Sequence, residues 1–451
     1  MVKERMMTFD GPMDEFSSPT LNQAHSQNIP HVLPPRKLDK DKLSQRITSS
    51  KIFQNQIRNS IDMVLGRLQD YEHATPSVHD QRLASQILNR GLIDFEIWES
   101  TRKLLQAIAP FVERSLHYEE WIMQLHRGLQ ISREQNDAET GAYLNFYLGR
   151  VQQRLHADYQ ASMEHYVESE QLFSESDLVL NQAEVIVNRA YVARLQEEQS
   201  LAVELVDKMF QLLDTNKNST DCRARATGHF VLGVLAYDER EWAASEAELR
   251  TSLSLWRQLN DPYMVALSLS NLGLPLRRQE KHKESIKCYQ VAIEQLEGLD
   301  DILNQGRLYM GLGNIYIDMN QPHQALEMYR KAEPIARKRN NPIGLAHCWS
   351  CIGNAYRELE MWQEAEEAIR KAIIQYTHLE HIEYVADTMI DLALVFYYQN
   401  LLQEAENIKE EAICYLKRIE DEKRKEAIYR DLIEYFSDKT GEWERNRKKN
   451  D

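Results

Sequence analysis

The sequence predicts an all-α fold built by repetition, and three observations carry that prediction. First, five small residues, Gly233, Gly273, Gly313, Gly353 and Ala393, recur at intervals of forty along the second half of the 451-residue chain. A fixed period of this length means stacked copies of one supersecondary unit. Second, the remainder of each unit repeats in step. Small residues follow twelve positions later (Ser245, Ser285, Ala325, Ala365, Ala405) and seven after those (Ser252, Ala292, Ala332, Ala372, Ala412). Third, the chain holds only 16 glycines and 12 prolines, and its periodic segments are rich in the strong helix formers Ala, Leu, Glu, Gln, Lys and Arg. No strict alternation of β-branched residues argues for a sheet.

The elements follow in chain order. Residues 1–42 lack periodicity, carry five prolines and end in the charged run Arg36–Lys42, which reads as a disordered tail. Residues 43–94 read as a helical region in two pieces, broken near Ala74–Ser77. Ile47, Phe53, Ile57, Ile61, Val64, Leu65 and Leu68 form the apolar stripe of the first piece, and Leu83, Ile87 and Leu88 begin that of the second. The repeats occupy residues 95–421, degenerate at first, then marked by Gly149 and Ala190 ahead of the five regular markers. Each unit is two helices. Asn260-Asp261-Pro262 and Asn340-Asn341-Pro342 place an Asx cap before a proline at the first helical position. Gln321-Pro322 marks a turn inside one unit. Residues 422–451 supply a capping helix over Lys423–Phe436 and a charged tail, because a terminal repeat must cover its last apolar face.

Composition narrows the function. The net charge of −16 opposes general binding to nucleic acid, which needs a basic face. Residues 36–67 do hold 8 Lys/Arg against 3 Asp/Glu, but without a helix-turn-helix pattern. No apolar run is long enough for a membrane span, and the N-terminus has charges and prolines where a signal peptide needs apolar residues. Five cysteines, an odd number, read as reduced thiols, so the expected location is the cytoplasm.

Residue by residue, the chain resembles the tetratricopeptide repeat family. Trp349, Ile352, Gly353, Tyr356, Ala365, Ile369 and Ala372 match its signature, and Tyr309, Leu312, Gly313, Tyr316, Ala325, Tyr329 and Ala332 match it again. The forty-residue unit is similar to the longer variety found in kinesin light chains, polarity scaffolds, Rap-type receptors and the sensor ends of signalling ATPases. The resemblance implies a right-handed superhelical α-solenoid of antiparallel helix pairs, about eight repeats with a C-terminal capping helix. Its concave face would grip a peptide or a partner protein.

Positions three before and one, four and five after each marker form a second stripe on the first helix, facing away from the packing stripe. The resemblance assigns that stripe to the inner groove. Its candidate binding residues are Arg150, Arg154, Arg194, Phe230, Tyr237, Arg277, Arg278, Asn314, Asn354, Arg357 and Tyr397. The asparagines sit at equivalent sites and suit the backbone of an extended peptide; alternatively each bonds a neighbouring side chain. The arginines suit an acidic or phosphorylated segment; alternatively they pair with Asp238, Asp318 or Glu358 of adjoining repeats. Phe230 and Tyr237 are partner anchors or core. Met310 and Ser350 stand where the family's carboxylate clamp would want lysine, so a chaperone-tail receptor is not expected.

The chain carries no catalytic signature. His347, Cys348 and Cys351 form a lone Cys-x-x-Cys whose thiols read as buried packing groups, and no metal or cofactor is expected. There is no glycine-rich phosphate loop, nucleophile elbow or His-Glu-x-x-His helix. The expected function is a non-catalytic interaction scaffold, an adaptor binding protein or peptide. The alternative is a Rap-like peptide-sensing regulator in signalling, with residues 43–94 as effector region.

Overall fold

Amphipathic helices with one apolar stripe must bury it against a neighbour, and the computed structural model shows neighbouring helices doing so in both parts of the chain. It describes residues 40–432 apart from residues 70, 72–75, 115–117, 157, 217–222, 298–301, 339–340, 420–421, 423–424, 427 and 431. The expected tail over 1–42 lies outside these residues up to position 39. The expected charged tail, and the part of the expected capping helix beyond 432, also lie outside them. The first helix starts at Lys40. Among the described residues there is no strand. The chain divides into two units: the N-terminal unit, through residue 275 with 294–301, and the C-terminal unit, 276–293 with 302 onward.

The N-terminal unit opens with α1 (Lys40–Gln69), α2 (Val78–Gly91), α3 (Trp98–Ile108) and α4 (Tyr118–Glu134). The break between α1 and α2 falls at the expected place, and Ser77 caps α2 by accepting from the Asp80 amide. Ile57, Ile61, Val64 and Leu68 of α1 are buried with Leu88, Leu104, Leu105 and Leu125 in one core. The structure corrects one member of the expected stripe. Phe53 is 50% exposed, whereas Gln54 is buried and donates to Asp94 and Glu96. Positions 53 and 54 lie four and three residues before Ile57, both close to the buried face, and the two carboxylate acceptors draw Gln54 inward. Helix pairs α5 (Ala138–Val151) with α6 (Tyr159–Glu175), α7 (Val179–Leu195) with α8 (Gln199–Thr215), and α9 (Arg223–Asp238) with α10 (Trp242–Gln258) then stack in sequence. Helix α6 also meets α7, and α8 meets α9. Helix α11 runs from Pro262 to Arg278 and α12 from His282 to Glu297.

In the C-terminal unit the same pairing repeats as α13 (Ile302–Asp318) with α14 (Pro322–Lys338), α15 (Pro342–Glu358) with α16 (Trp362–His378), and α17 (Ile382–Tyr398) with α18 (Leu402–Leu416). Within each unit this is the α-solenoid arrangement of antiparallel pairs. Ile428 and Leu432 join the core that contains Ala412 and Leu416, so two residues of the expected capping segment do cover the last pair.

Small markers let the paired helices touch. A Cβ built on Gly313 would sit 2.7 Å from Tyr329 Cδ1, and one on Gly353 would lie on Ile369 and 3.2 Å from the Ala365 carbonyl. The turns inside the repeats share one chemistry. Residues 240, 280, 320, 360 and 400 have φ near +60° (Arg240, Glu280, Asn320, Glu360, Asn400). The amide that follows reaches back to the last helical turn, as from Gln321 to the Tyr316 carbonyl at 2.8 Å and from Met361 to Tyr356 at 2.9 Å. That is the Schellman stop, which satisfies carbonyls the helix end would leave open. Starts are capped by Asx side chains: Asp261 accepts from the Met264 amide and Asn341 from the Gly344 amide.

Candidate functional site

The second stripe on the first helices is mostly buried. In the N-terminal unit, Phe230 and Arg194 are 9% and 8% exposed, with Tyr191 and Val187 buried beside them. Tyr191 and Phe230 bring their ring centroids to 6.0 Å. Arg150 is half-buried with its guanidinium 5.7 Å above the Phe146 ring. Tyr237 is half-buried against Trp242, at 5.0 Å. Arg154 donates to the Tyr263 hydroxyl at 3.2 Å, joining α11 to the turn after α5 across 109 positions of chain.

The structure places three of the candidate arginines in ion pairs between successive first helices. Arg194 on α7 meets the Asp238 carboxylate on α9 through Nε and, at 2.9 Å, Nη2. Arg277 meets Asp318 in the same two-pronged way, its Nη2 at 3.2 Å. Arg357 on α15 lies 3.4 Å from Asp391 on α17 and 3.2 Å from its neighbour Glu358. The inter-repeat alternative therefore holds for Arg194 and Arg277 with the expected carboxylates, whereas the inter-repeat partner of Arg357 is Asp391 and the expected Glu358 lies beside it on the same helix. Asp391 sits two before its marker, off the stripe, and nothing in the spacing points to it. Burial works against the charge of Arg357, but Asp391 and Glu358 more than offset it and raise its pKa. Arg278, at the next position to Arg277, is exposed.

The asparagines are buried too. Asn314 accepts from the Tyr329 hydroxyl at 2.7 Å, within its own repeat. Asn354 donates to Asp391 at 2.9 Å, across to the next repeat. Two buried polar atoms on α15, Asn354 Oδ1 and Arg357 Nε, have no hydrogen-bond partner among the described residues. Tyr397 is half-buried and packs edge-on to Tyr398, with centroids 5.9 Å apart.

The Cys-x-x-Cys lies on the packed side of α15. Cys348 Sγ is 3.5 Å from Met310 Sδ, and burial, assisted by Glu333, pushes its thiol up to about 12. Burial holds His347 down at about 4. At neutral pH this leaves a thiol and an uncharged imidazole, with neither a thiolate to attack nor a ligand set. Among the described residues no three His, Cys, Asp or Glu groups could share a metal ion. No described helix is long and apolar enough to cross a membrane.

In each unit a row of first helices, backed by a row of second helices, defines a helical-repeat protein of the α-solenoid class. A tetratricopeptide repeat family model matches residues 264–338. The signal transduction ATPase with numerous domains from Pyrococcus horikoshii, which has a tetratricopeptide repeat sensor, superposes with TM-score 0.54 at 13% identity. That match covers 78% of this chain and 55% of the other. Aspartyl phosphate phosphatase F from Bacillus subtilis matches with TM-score 0.48 at 14% identity, over 80% of this chain and 93% of its own. A Rap protein complexed with competence and sporulation factor matches with TM-score 0.48 at 15% identity, over 78% and 99%. No curated protein matches the chain in sequence. Residues 264–338 thus carry tetratricopeptide repeats, within a helical-repeat arrangement seen in both units.

Proposed function

We propose that this protein is a non-catalytic interaction scaffold that holds an extended peptide segment against the inner face of α15 and α17. One observation carries the reading. Asn354 and Arg357, 5% and 7% exposed, sit one turn apart on that face, and each leaves one polar atom unsatisfied. A buried orphan of this kind costs about 1–3 kcal/mol, so a matching group is favoured there. Oδ1 accepts and Nε donates, the complement of one peptide amide and one peptide carbonyl. Arg278, exposed in the same unit, would serve an acidic or phosphorylated residue of that segment. Tyr397, on α17, would supply apolar contact. The test is selection of peptides from a random display library by the immobilised chain, followed by titration of the winners against Asn354→Leu. Roughly tenfold weaker binding is expected, as for loss of a buried hydrogen bond. Failure of any sequence to enrich, or equal affinity for the variant, sinks the reading.

A second reading, the peptide-sensing regulator, has its own support in the N-terminal unit. Anything reaching that inner stripe would have to part Arg194 from Asp238 and Arg154 from Tyr263. Occupancy would then be coupled to opening of the stacked pairs. Small-angle scattering with a selected peptide distinguishes the two: a changed radius of gyration favours the regulator, and an unchanged one the scaffold.

A further inference from the structure

Three of the six arginines that suggest an acidic partner are spent on internal carboxylates, and the field left at one edge of the C-terminal unit has the opposite sign. The geometry points to a docking site for a basic, aromatic-bearing protein segment at the edge formed by the α15–α16 and α17–α18 turns. This goes beyond the inner-face reading: it rests on the chain being a protein-binding module, but not on Asn354 or Arg357.

Trp362, the first residue of α16, stacks on Tyr398, the last of α17, with centroids 6.2 Å apart and planes 15° from parallel. Met361 and Leu401 flank the pair at the equivalent turn positions of adjacent repeats, 37% and 40% exposed, and Tyr398 is itself 38% exposed. The result is a two-repeat platform of large apolar side chains open to water, a feature that marks interaction surfaces when such groups are contiguous. The Trp362 indole N–H has no hydrogen-bond partner among the described residues.

Around the platform stand Glu360, Glu364 and Glu404, all exposed, and none of their carboxylates has an ion-pair or hydrogen-bond partner among the described residues. No Lys or Arg occurs in 358–364 or 397–404. The cations beside these segments are committed elsewhere: Arg357 is buried on Asp391 and Glu358, and Arg370 binds Glu366 while lying over Phe396. Three unpaired carboxylates with an indole and a phenol between them select for cations that also stack. Guanidinium does both, bonding carboxylates through its fork and lying on aromatic faces. An arginine alternating with tyrosine in an extended segment would meet carboxylate and ring in turn.

The experiment uses the full chain and fluorescein-labelled ten-residue peptides alternating tyrosine with arginine, or tyrosine with glutamate, followed by anisotropy. The arginine peptide is expected to bind and the glutamate peptide not to. Trp362→Ala, and separately the Glu360→Lys/Glu364→Lys pair, should each weaken binding about tenfold or more. A remote reversal on α8, Glu204→Lys with Asp207→Lys, should leave it unchanged. Circular dichroism melts confirm that each variant is folded. Equal weakening by the remote reversal reduces the effect to net charge and overturns the inference, as does equal binding of the glutamate peptide. Loss on Asn354→Leu but not at the edge overturns it while leaving the inner-face reading intact. Loss at the edge alone sustains it whatever becomes of that reading. No binding by either peptide overturns it.

Discussion

At the scale of single residues, the structure turns packing into numbers. Gly313 faces the Tyr329 ring so closely that an added Cβ would lie 2.7 Å from Cδ1. Gly313→Leu should therefore overpack the α13–α14 contact and cost about 1–3 kcal/mol. Urea midpoints read this directly, and an unchanged midpoint would contradict it. His347 offers a pH test. Burial lowers its pKa from 6.5 to about 4, so between those values the unfolded chain takes a proton that the folded chain refuses. Its contribution to stability is whole above about pH 6.5, shrinks as pH falls through the window, and is gone below about pH 4. The loss is of order 3 kcal/mol. His347→Met keeps the bulk without the titration, and its stability should fall less between pH 7 and pH 4 than that of the parent. Equal acid losses would refute the assignment. The spacing rule made the glycine contact legible, since the marker and its partner repeat together. The fate of the arginines was not legible. Arg194 and Arg357 show the same stripe position whether they face a ligand or the neighbouring repeat. Only the approach of successive first helices decides.

Helix ends tell a similar story at the scale of elements. Asn and Pro announced the starts of α11 and α15, and Asp261 and Asn341 cap them as expected. The stops inside repeats were harder to see, because residues other than glycine occupy the left-handed position. Asn320 and Asn400 are at ease there; Arg240, Glu280 and Glu360 bear steric strain from their Cβ. Arg240 is exposed, so Arg240→Gly removes that strain without disturbing packing. The gain expected is about 1 kcal/mol, read as a higher urea midpoint; a lower midpoint would show that the turn is not held in this conformation. The first helix teaches the limit of periodic reading. Phe53 and Gln54 are adjacent, and apolarity favoured Phe53. The structure buries Gln54 because Asp94 and Glu96, some forty residues on, supply its acceptors.

For the whole molecule, the stacked pairs make stability a sum over neighbours rather than the property of one core. The Arg357–Asp391 pair tests this, since it joins α15 to α17 with both side chains nearly excluded from water. Asp391→Ala would leave the Arg357 charge to Glu358 alone and remove the acceptor of Asn354, a loss of about 3 kcal/mol, at the low end for breaking a buried pair from one side. In a globule with a single cooperative core, that loss would appear everywhere at once. In a repeat array it should appear locally. Amide exchange should accelerate in α15, α16 and α17 while the helices of the N-terminal unit keep their protection. A uniform loss of protection over α5 to α10 would mean that the two units unfold as one. The additive account of the repeats would then fail even though every helix is placed as described.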